Sequence, residues 1–333
     1  MKKFRLPVTL IALFLFPAAA CIAAQSGSTA SHPEVHALKI TILSTMLADD
    51  AIGEWGFAAL VEADGRKILF DTGARPNTVL ENARELKLDL SDVQDVILSH
   101  FHDDHTTGLM TLRREFSKSN PKALSLVHVA DGIFLERRGH NPNPMIQTKK
   151  DYEATGGVFV IREKPEELYP GIWLTGPVPR AYPEKNYPAG TEVNTGTAGI
   201  EDTVPDDQSL VFNTAHGLVL PSGCGHSGII NTLQYARGFL RTASVDAAIG
   251  GFHLFAATDQ QLAWTASKLK EYQTARILGA HCPGIESVYR LRELLGLTRQ
   301  TCLVGTIGAV YDLNSGIKTP SPGNSQTNVR CGS

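Results

Sequence analysis

The stretch Ser99 to Leu109 constrains this chain more than any other. It reads Ser-His-Phe-His-Asp-Asp-His-Thr-Thr-Gly-Leu and packs His100, His102, Asp104 and His105 into six positions. The run before it, Asp95-Val-Ile-Leu-Ser99, is short, apolar and partly β-branched. It predicts a buried strand that delivers the cluster to the end of a sheet. Imidazoles with one carboxylate suit Zn²⁺ first, with Fe or Mn as alternatives, and three ligands with an open position leave room for an activated water. A solvated polar loop is the competing reading, but such groups rarely crowd at a strand end without a partner.

A chain of 333 residues with 42% apolar content can bury one large domain. Lys and Arg number 31 against 34 Asp and Glu, and no basic run lies beyond the N-terminus. Nucleic acid is therefore excluded as a partner and a small molecule is the expected substrate. The N-terminus has the form of an export signal. Met1 to Arg5 is basic, Leu6 to Phe16 is apolar, and Ala18-Ala-Ala-Cys21 offers small residues for cleavage. The apolar run falls short of the roughly 20 residues that span a bilayer. The expectation is a signal peptide over 1–24, a Ser/Thr/Ala/Gly-rich linker over 25–35, a domain over 36–313 and a polar tail over 314–333. The product would be exported, periplasmic or secreted. Cleavage ahead of Cys21, with a lipid on that thiol, is the alternative to cleavage after Ala24, and it is the sole membrane attachment expected.

Along the domain, Leu38 to Leu43 and Gly56 to Glu62 read as strands, and Asp64-Gly65 reads as a hairpin turn into Lys67 to Phe70. Asn77 to Leu86 reads as a helix that Asn77 caps, and Gly108 to Phe116 as a second with Arg113 and Arg114 on its solvated face. His128, on a strand over Ser125 to Val129, reads as structural. Residues 139–156, with His140, and 176–206 read as lids, and Arg180 as a surface group or a contact for an anionic substrate. Three further strand ends then present histidines: Gly-Cys-Gly-His226, Gly-Gly-Phe-His253 and Gly-Ala-His281-Cys282. A helix starting near Ile229 would offer free N–H groups to an anion such as phosphate. Of the remaining cysteines, Cys302 and Cys331 form one candidate disulfide, while Cys224 and Cys282 each sit beside a histidine.

His100-x-His102-x-Asp104-His105 after an apolar strand resembles the metallo-β-lactamase-fold superfamily. That resemblance implies an α+β fold, an αββα sandwich of two mixed sheets flanked by helices. It makes His100, His102 and His226 one metal site and Asp104, His105 and His281 a second, so two divalent ions, Zn²⁺ first. Asp71, in Phe70-Asp-Thr-Gly73, would support the site from behind its ligands. The implied function is a hydrolase that uses a metal-bound hydroxide on an ester, phosphoester or amide. Many hydrolases of the superfamily place a bridging Asp where this chain has Ile249-Gly-Gly-Phe-His253.

Trp55-Gly56, Gly176-Pro-Val-Pro-Arg180, Gly-Cys-x-His226, Gly-Gly-Phe-His253 and His281-Cys282 resemble the branch named for 7,8-dihydropterin-6-yl-methyl-4-(β-D-ribofuranosyl)aminobenzene 5'-phosphate synthase. Thr107, Gly225 and Pro283 replace that branch's usual Gly, Ser and Thr. Its transferase chemistry is the alternative, and a non-catalytic metal- or ligand-binding protein is a third. Activated pterins are cytoplasmic, which ranks hydrolysis first for an exported chain. His253 reads as a substrate-binding or proton-transfer group, a weak ligand, or a supporting histidine. The oligomeric state is not legible.

Overall fold

The computed structural model describes residues 32–138, 143–187, 192–194 and 199–320. The expected signal peptide with Cys21, and likewise His140 and Cys331, lie outside the described residues. Among the described residues no helix is long and apolar enough to cross a membrane.

Two mixed sheets form the centre. The first has eight strands in the spatial order Gly316–Lys318, Val310–Asp312, Leu38–Ser44, Ala58–Ala63, Arg66–Phe70, Asp95–Ile97, Leu126–Ala130 and Val158–Arg162. The second has seven, in the order Cys302–Val304, Arg276–Gly279, Val245–Gly250, Gly217–Ser222, Leu210–Thr214, Ile172–Leu174 and Glu166–Tyr169. A third, small sheet joins Gly199–Glu201, Glu192–Asn194 and Arg137–Arg138.

The alternation of side chains along each strand sorts them between layers. Ala59, Val61 and Ala63 face the second sheet with Ile68 and Phe70, where they meet Phe212, Val219 and Ile249. Ala58, Leu60 and Leu69 face outward onto helices Thr78–Glu85, Leu109–Phe116 and Pro144–Glu153, through Val79, Leu112 and Tyr152. On the second sheet Leu218 and Leu220 face outward onto Ile229–Phe239, Asp259–Glu271 and Gly284–Leu295. The result is the αββα sandwich. Strands of period two with two buried faces require a layer on each side.

Each sheet begins antiparallel and ends parallel. Arg66–Phe70, Asp95–Ile97 and Leu126–Ala130 run parallel in the first, as do Gly217–Ser222, Val245–Gly250, Arg276–Gly279 and Cys302–Val304 in the second. Their carboxyl ends open on one edge of the sandwich, the place where loops of an α/β sheet build sites. Gln208 joins the two halves there. Its backbone N–H donates to Ser99 O at 2.9 Å, and its Nε2 donates to Leu98 O at 2.9 Å.

Several local expectations change. Arg113 is not on a solvated face. Its guanidinium is buried and donates to Pro121 O at 2.8 Å, Ala123 O at 2.5 Å and Thr155 O at 2.9 Å. Aliphatic spacing did not reveal it, because its partners are carbonyls of a distant loop. Asn77 makes no side-chain cap at the first helix. Residues 144–153, expected as lid, form a helix whose cap Asn143 accepts from Met145 N at 3.0 Å. Residues 316–318, expected in the tail, add an edge strand to Val310–Asp312. His128 is structural, held between Asp95 at 2.7 Å and Arg162 at 2.9 Å.

Arg113→Ala would leave the buried Ala123 carbonyl, and the part-buried carbonyls of Pro121 and Thr155, without this donor. The expected cost is about 3 kcal/mol of unfolding free energy in urea titrations, while Arg114→Ala, on the same helix, is expected to change it by under about 0.5 kcal/mol.

Candidate metal centre

The strand Asp95–Ile97 runs into Ser99, and the chain then turns through His100 and His102 into the single helical turn Asp103–Thr106. Asp71 anchors that turn. It follows strand Arg66–Phe70 with φ +58°, a left-handed conformation in which short polar side chains are tolerated. Its fully buried carboxylate accepts from Ser99 N at 2.7 Å, Ser99 Oγ at 2.7 Å and His105 Nδ1 at 2.8 Å. Thr72 N and Oγ1 donate to His105 O at 2.7 and 2.9 Å.

These bonds set the tautomers. Ser99 gives its one hydroxyl proton to Asp71, so its oxygen accepts from His100 Nδ1 at 2.9 Å and leaves His100 Nε2 as a bare lone pair. His105 Nδ1 donates to Asp71 and bares its own Nε2, which is buried without a hydrogen-bond partner. His226 Nδ1 donates to the carbonyl of Asn186, so its Nε2 is bare as well. His100 Nε2 and His226 Nε2 then lie 2.9 and 3.1 Å from His102 Nδ1. One proton on His102 cannot satisfy both acceptors well. Burial pushes His100 and His226 well below the usual imidazole range and His102 down to about 4, so these rings are neutral at pH 7.

The second cluster joins two loops. His281 follows strand Arg276–Gly279 with φ +63°, and its backbone N–H donates to Thr45 Oγ1 at 2.9 Å. Its Nε2 lies 3.3 Å from Asp104 Oδ2, and His105 Nε2 lies 3.7 Å from Asp104 Oδ1. Burial would raise the Asp104 carboxyl, but His105 and His281 beside it hold it well below the ordinary range. Within each trio, His100/His102/His226 and Asp104/His105/His281, the ligand atoms lie within 4.8 Å of one another. All six expected ligands are thus brought into two adjoining trios. The Nε2 atoms of His100, His105 and His226, with His102, His281 and the Asp104 carboxylate beside them, form a donor set that fits divalent cations.

Glycine at the strand end is a steric requirement. A Cβ on Gly250 would stand 2.2 Å from Ser222 O, and one on Gly251 would stand 2.0 Å from Gly223 O. No carboxylate can project from either position. His253, just beyond them, has its ring centroid 4.6 Å from that of His226 and is partly buried, with a pKa lowered chiefly by burial. It lines a cavity of about 460 Å³ with Glu184, Asn186, Tyr187, Gln260 and Trp264. The exposed pair Trp55 and Phe255 stands edge to face at 5.6 Å beside His281.

Two expectations are corrected. The N-terminus of Ile229–Phe239 is not free for an anionic ligand: Glu184 occupies it, accepting from Asn231 N at 2.8 Å and Ile230 N at 3.3 Å. Arg180 is a brace, donating to Thr203 O and, at 3.4 Å, to His226 O. The loop that Glu184 pins also supplies the Asn186 carbonyl to His226. Sequence reasoning missed Glu184, Asn186 and Gln208, since each acts across a long separation through backbone groups. Ser99 stood inside the motif, and its proton bookkeeping was the signal available.

A family model described as the metallo-beta-lactamase superfamily matches residues 56–237. The 7,8-dihydropterin-6-methyl-4-(beta-D-ribofuranosyl)-aminobenzene-5'-phosphate synthase of Methanocaldococcus jannaschii is 30% identical over 242 residues, 69% of this chain and 81% of that protein. Protein MJ0448 of the same organism, uncharacterized, is 30% identical over 240 residues, 72% of this chain and 88% of that one. Among solved structures, Tm1679, described as a metal-dependent hydrolase of the beta-lactamase superfamily, aligns with a TM-score of 0.66 at 24% identity. The alignment covers 82% of this chain and 98% of that one.

Plasma mass spectrometry of the purified protein is expected to find two divalent metals per chain, and His100→Ala or His281→Ala should each lower that number. Asp71→Asn keeps every ligand atom and should weaken metal binding by about 10–100-fold. A second expectation concerns Glu184, whose pKa burial raises from 4.5 to about 7 against the pull of the two N–H groups and Arg180. Its folded form keeps a proton that the unfolded chain loses, so stability should decline as pH rises from 4.5 through 7. Chemical denaturation at pH 5 and pH 8 should show a smaller decline for Glu184→Gln.

Proposed function

The chain belongs to the metallo-beta-lactamase superfamily, and we propose that it is a metal-dependent hydrolase acting on an ester, phosphoester or amide of a small, partly apolar molecule. One observation carries this reading: bare imidazole nitrogens from three strand-end loops converge with a single carboxylate at the mouth of a cavity. Divalent cations bound there, Zn²⁺ by the donor set, would supply Lewis acidity toward a carbonyl or phosphoryl oxygen and acidify water near neutral pH.

The residues do the rest. Ser99 and Asp71 keep the Nδ1 protons of His100 and His105 in place, so that both rings present Nε2 inward. Asn186 does the same for His226. Asp104, held ionised by His105 and His281, is the negative group of the second trio. His253 stands at the boundary of centre and cavity, where its imidazole can take a proton from water entering the site and pass that proton to a leaving oxygen or nitrogen. Trp55, Phe255 and Trp264 give the approach an apolar surface, which favours an organic group over a bare inorganic ion. Because Glu184 fills the helix N-terminus, an anionic substrate would depend on the metals and on Lys185, another residue lining the cavity.

A second reading is transfer to a dihydropterin, favoured by the name of the relative from Methanocaldococcus jannaschii. The basic, apolar and small-residue order of residues 1–21 supports export, away from the cytoplasmic pool of activated pterins. Sequestration without turnover is the remaining reading.

Zinc-loaded protein is to be tested on p-nitrophenyl acetate, bis-p-nitrophenyl phosphate, p-nitrophenyl phosphate and nitrocefin. The expected result is turnover of an ester or phosphoester that disappears with His100→Ala or with a chelator, and slow or no nitrocefin hydrolysis. His253→Ala should lower kcat by about 100-fold with little change in metal content. Pterin transfer with no hydrolysis would reverse the order of the two catalytic readings, and inert, fully loaded protein would favour sequestration.

A further inference from the structure

Cys224 and Cys282 stand face to face at the base of the metal centre. Their sulfurs are 3.1 Å apart, although 58 positions separate them in the chain. Both are buried, at 3% and 1% exposure. Cys224 lies two residues before His226, on the turn after Gly217–Ser222, and Cys282 directly follows His281. The two turns therefore carry one histidine of each trio. Sulfur atoms of a disulfide lie about 2.05 Å apart, so closure needs the two sulfurs to approach by roughly 1 Å.

The surroundings hold the pair in this position. Gly251 leaves the space that the Cys282 sulfur fills, since a Cβ there would stand 2.8 Å from it. The backbone N–H of His253 points at the same sulfur from 3.2 Å. Cys224 Sγ also lies 3.8 Å from His281 Nε2. Cys302, the remaining cysteine among the described residues, is elsewhere, with its sulfur 3.5 Å from Val288 O.

We propose that Cys224 and Cys282 form a reversible disulfide that staples the His226 turn to the His281 turn and so holds the two metal trios in fixed relation. The oxidant is a hydroperoxide, because a buried pair admits a molecule little larger than water and excludes the disulfide of a folded protein. The first sulfur attacks a peroxide oxygen, the O–O bond breaks, and a sulfenic acid and one water result. The second sulfur displaces that hydroxyl as the S–S bond forms, and its thiol proton leaves with the hydroxyl as a second water. In all, two thiols and one hydrogen peroxide become one disulfide and two waters. A small-molecule dithiol or phosphine reverses the step.

The test is peptide mapping of the purified full chain after hydrogen peroxide, with remaining thiols alkylated in denaturant and digestion done without reduction. The expected product is a linked pair of peptides holding Cys224 and Cys282, lighter by two hydrogens than their sum and separated by a phosphine, with Cys302 alkylated. Alkylation of both Cys224 and Cys282, sulfinic acid at either, or linkage of either to Cys302 or Cys331 would overturn the proposal. The stapling role is read separately, from the rate at which a chelator strips zinc. Oxidised protein should lose metal several-fold more slowly than reduced protein, and Cys224→Ser should abolish the difference; equal rates in the parent would overturn that role.

Discussion

One fully buried carboxylate underlies the arrangement of this molecule. Asp71 accepts three hydrogen bonds from the turn that holds the ligands, two from Ser99 and one from His105. A buried carboxylate is costly unless it is hydrogen-bonded, so the turn cannot move without exposing that cost. The same bonds decide which nitrogen of His100 and of His105 is bare. Asp71 therefore both fixes the backbone between two parallel strands and sets the chemistry of the centre.

The sandwich brings the remaining ligands to that turn. Parallel strands must all end on the same edge, and the two sheets face each other across a close-packed apolar layer. Loops after Asp95–Ile97, Gly217–Ser222, Val245–Gly250 and Arg276–Gly279 consequently meet in a small volume. Crowding is then the governing constraint. Gly250 and Gly251 have no room for a Cβ, the cysteine sulfurs touch, and the Asn186 carbonyl, Glu184 and Arg180 brace the His226 turn from outside. The strand end Ile249-Gly-Gly-Phe-His253 carries no acid, and a Cβ at either glycine would meet the backbone of the neighbouring strand's turn.

Legibility varied with the range of the interaction. The start of Asp259–Glu271 is set locally, since Thr258 and Gln261 form a capping box within four residues of sequence. The Asp64-Gly65 turn was equally local. Arg113 was misplaced because helical spacing says which way a side chain points and not whether distant carbonyls wait there. The phosphate reading of the helix at Ile229 failed for the same reason: a free N-terminus is a local property, and Glu184 reaches it from 46 and 47 residues away. The edge strand at 316–318 was lost in a polar tail because a single apolar residue, Ile317, marks it, and its pairing with Val310–Asp312 comes from the backbone.

The sequence by itself carried the candidate ligands and their delivery at strand ends, because donor chemistry and apolar runs are written residue by residue, and its resemblance to the metallo-β-lactamase superfamily implied the αββα class. Tertiary structure alone decided which nitrogen of each imidazole is bare, that Glu184 closes the helix terminus, that Gln208 joins the halves, and that Cys224 meets Cys282. Each of those depends on the distance between atoms far apart in the chain, and such distances exist only once the two sheets have packed.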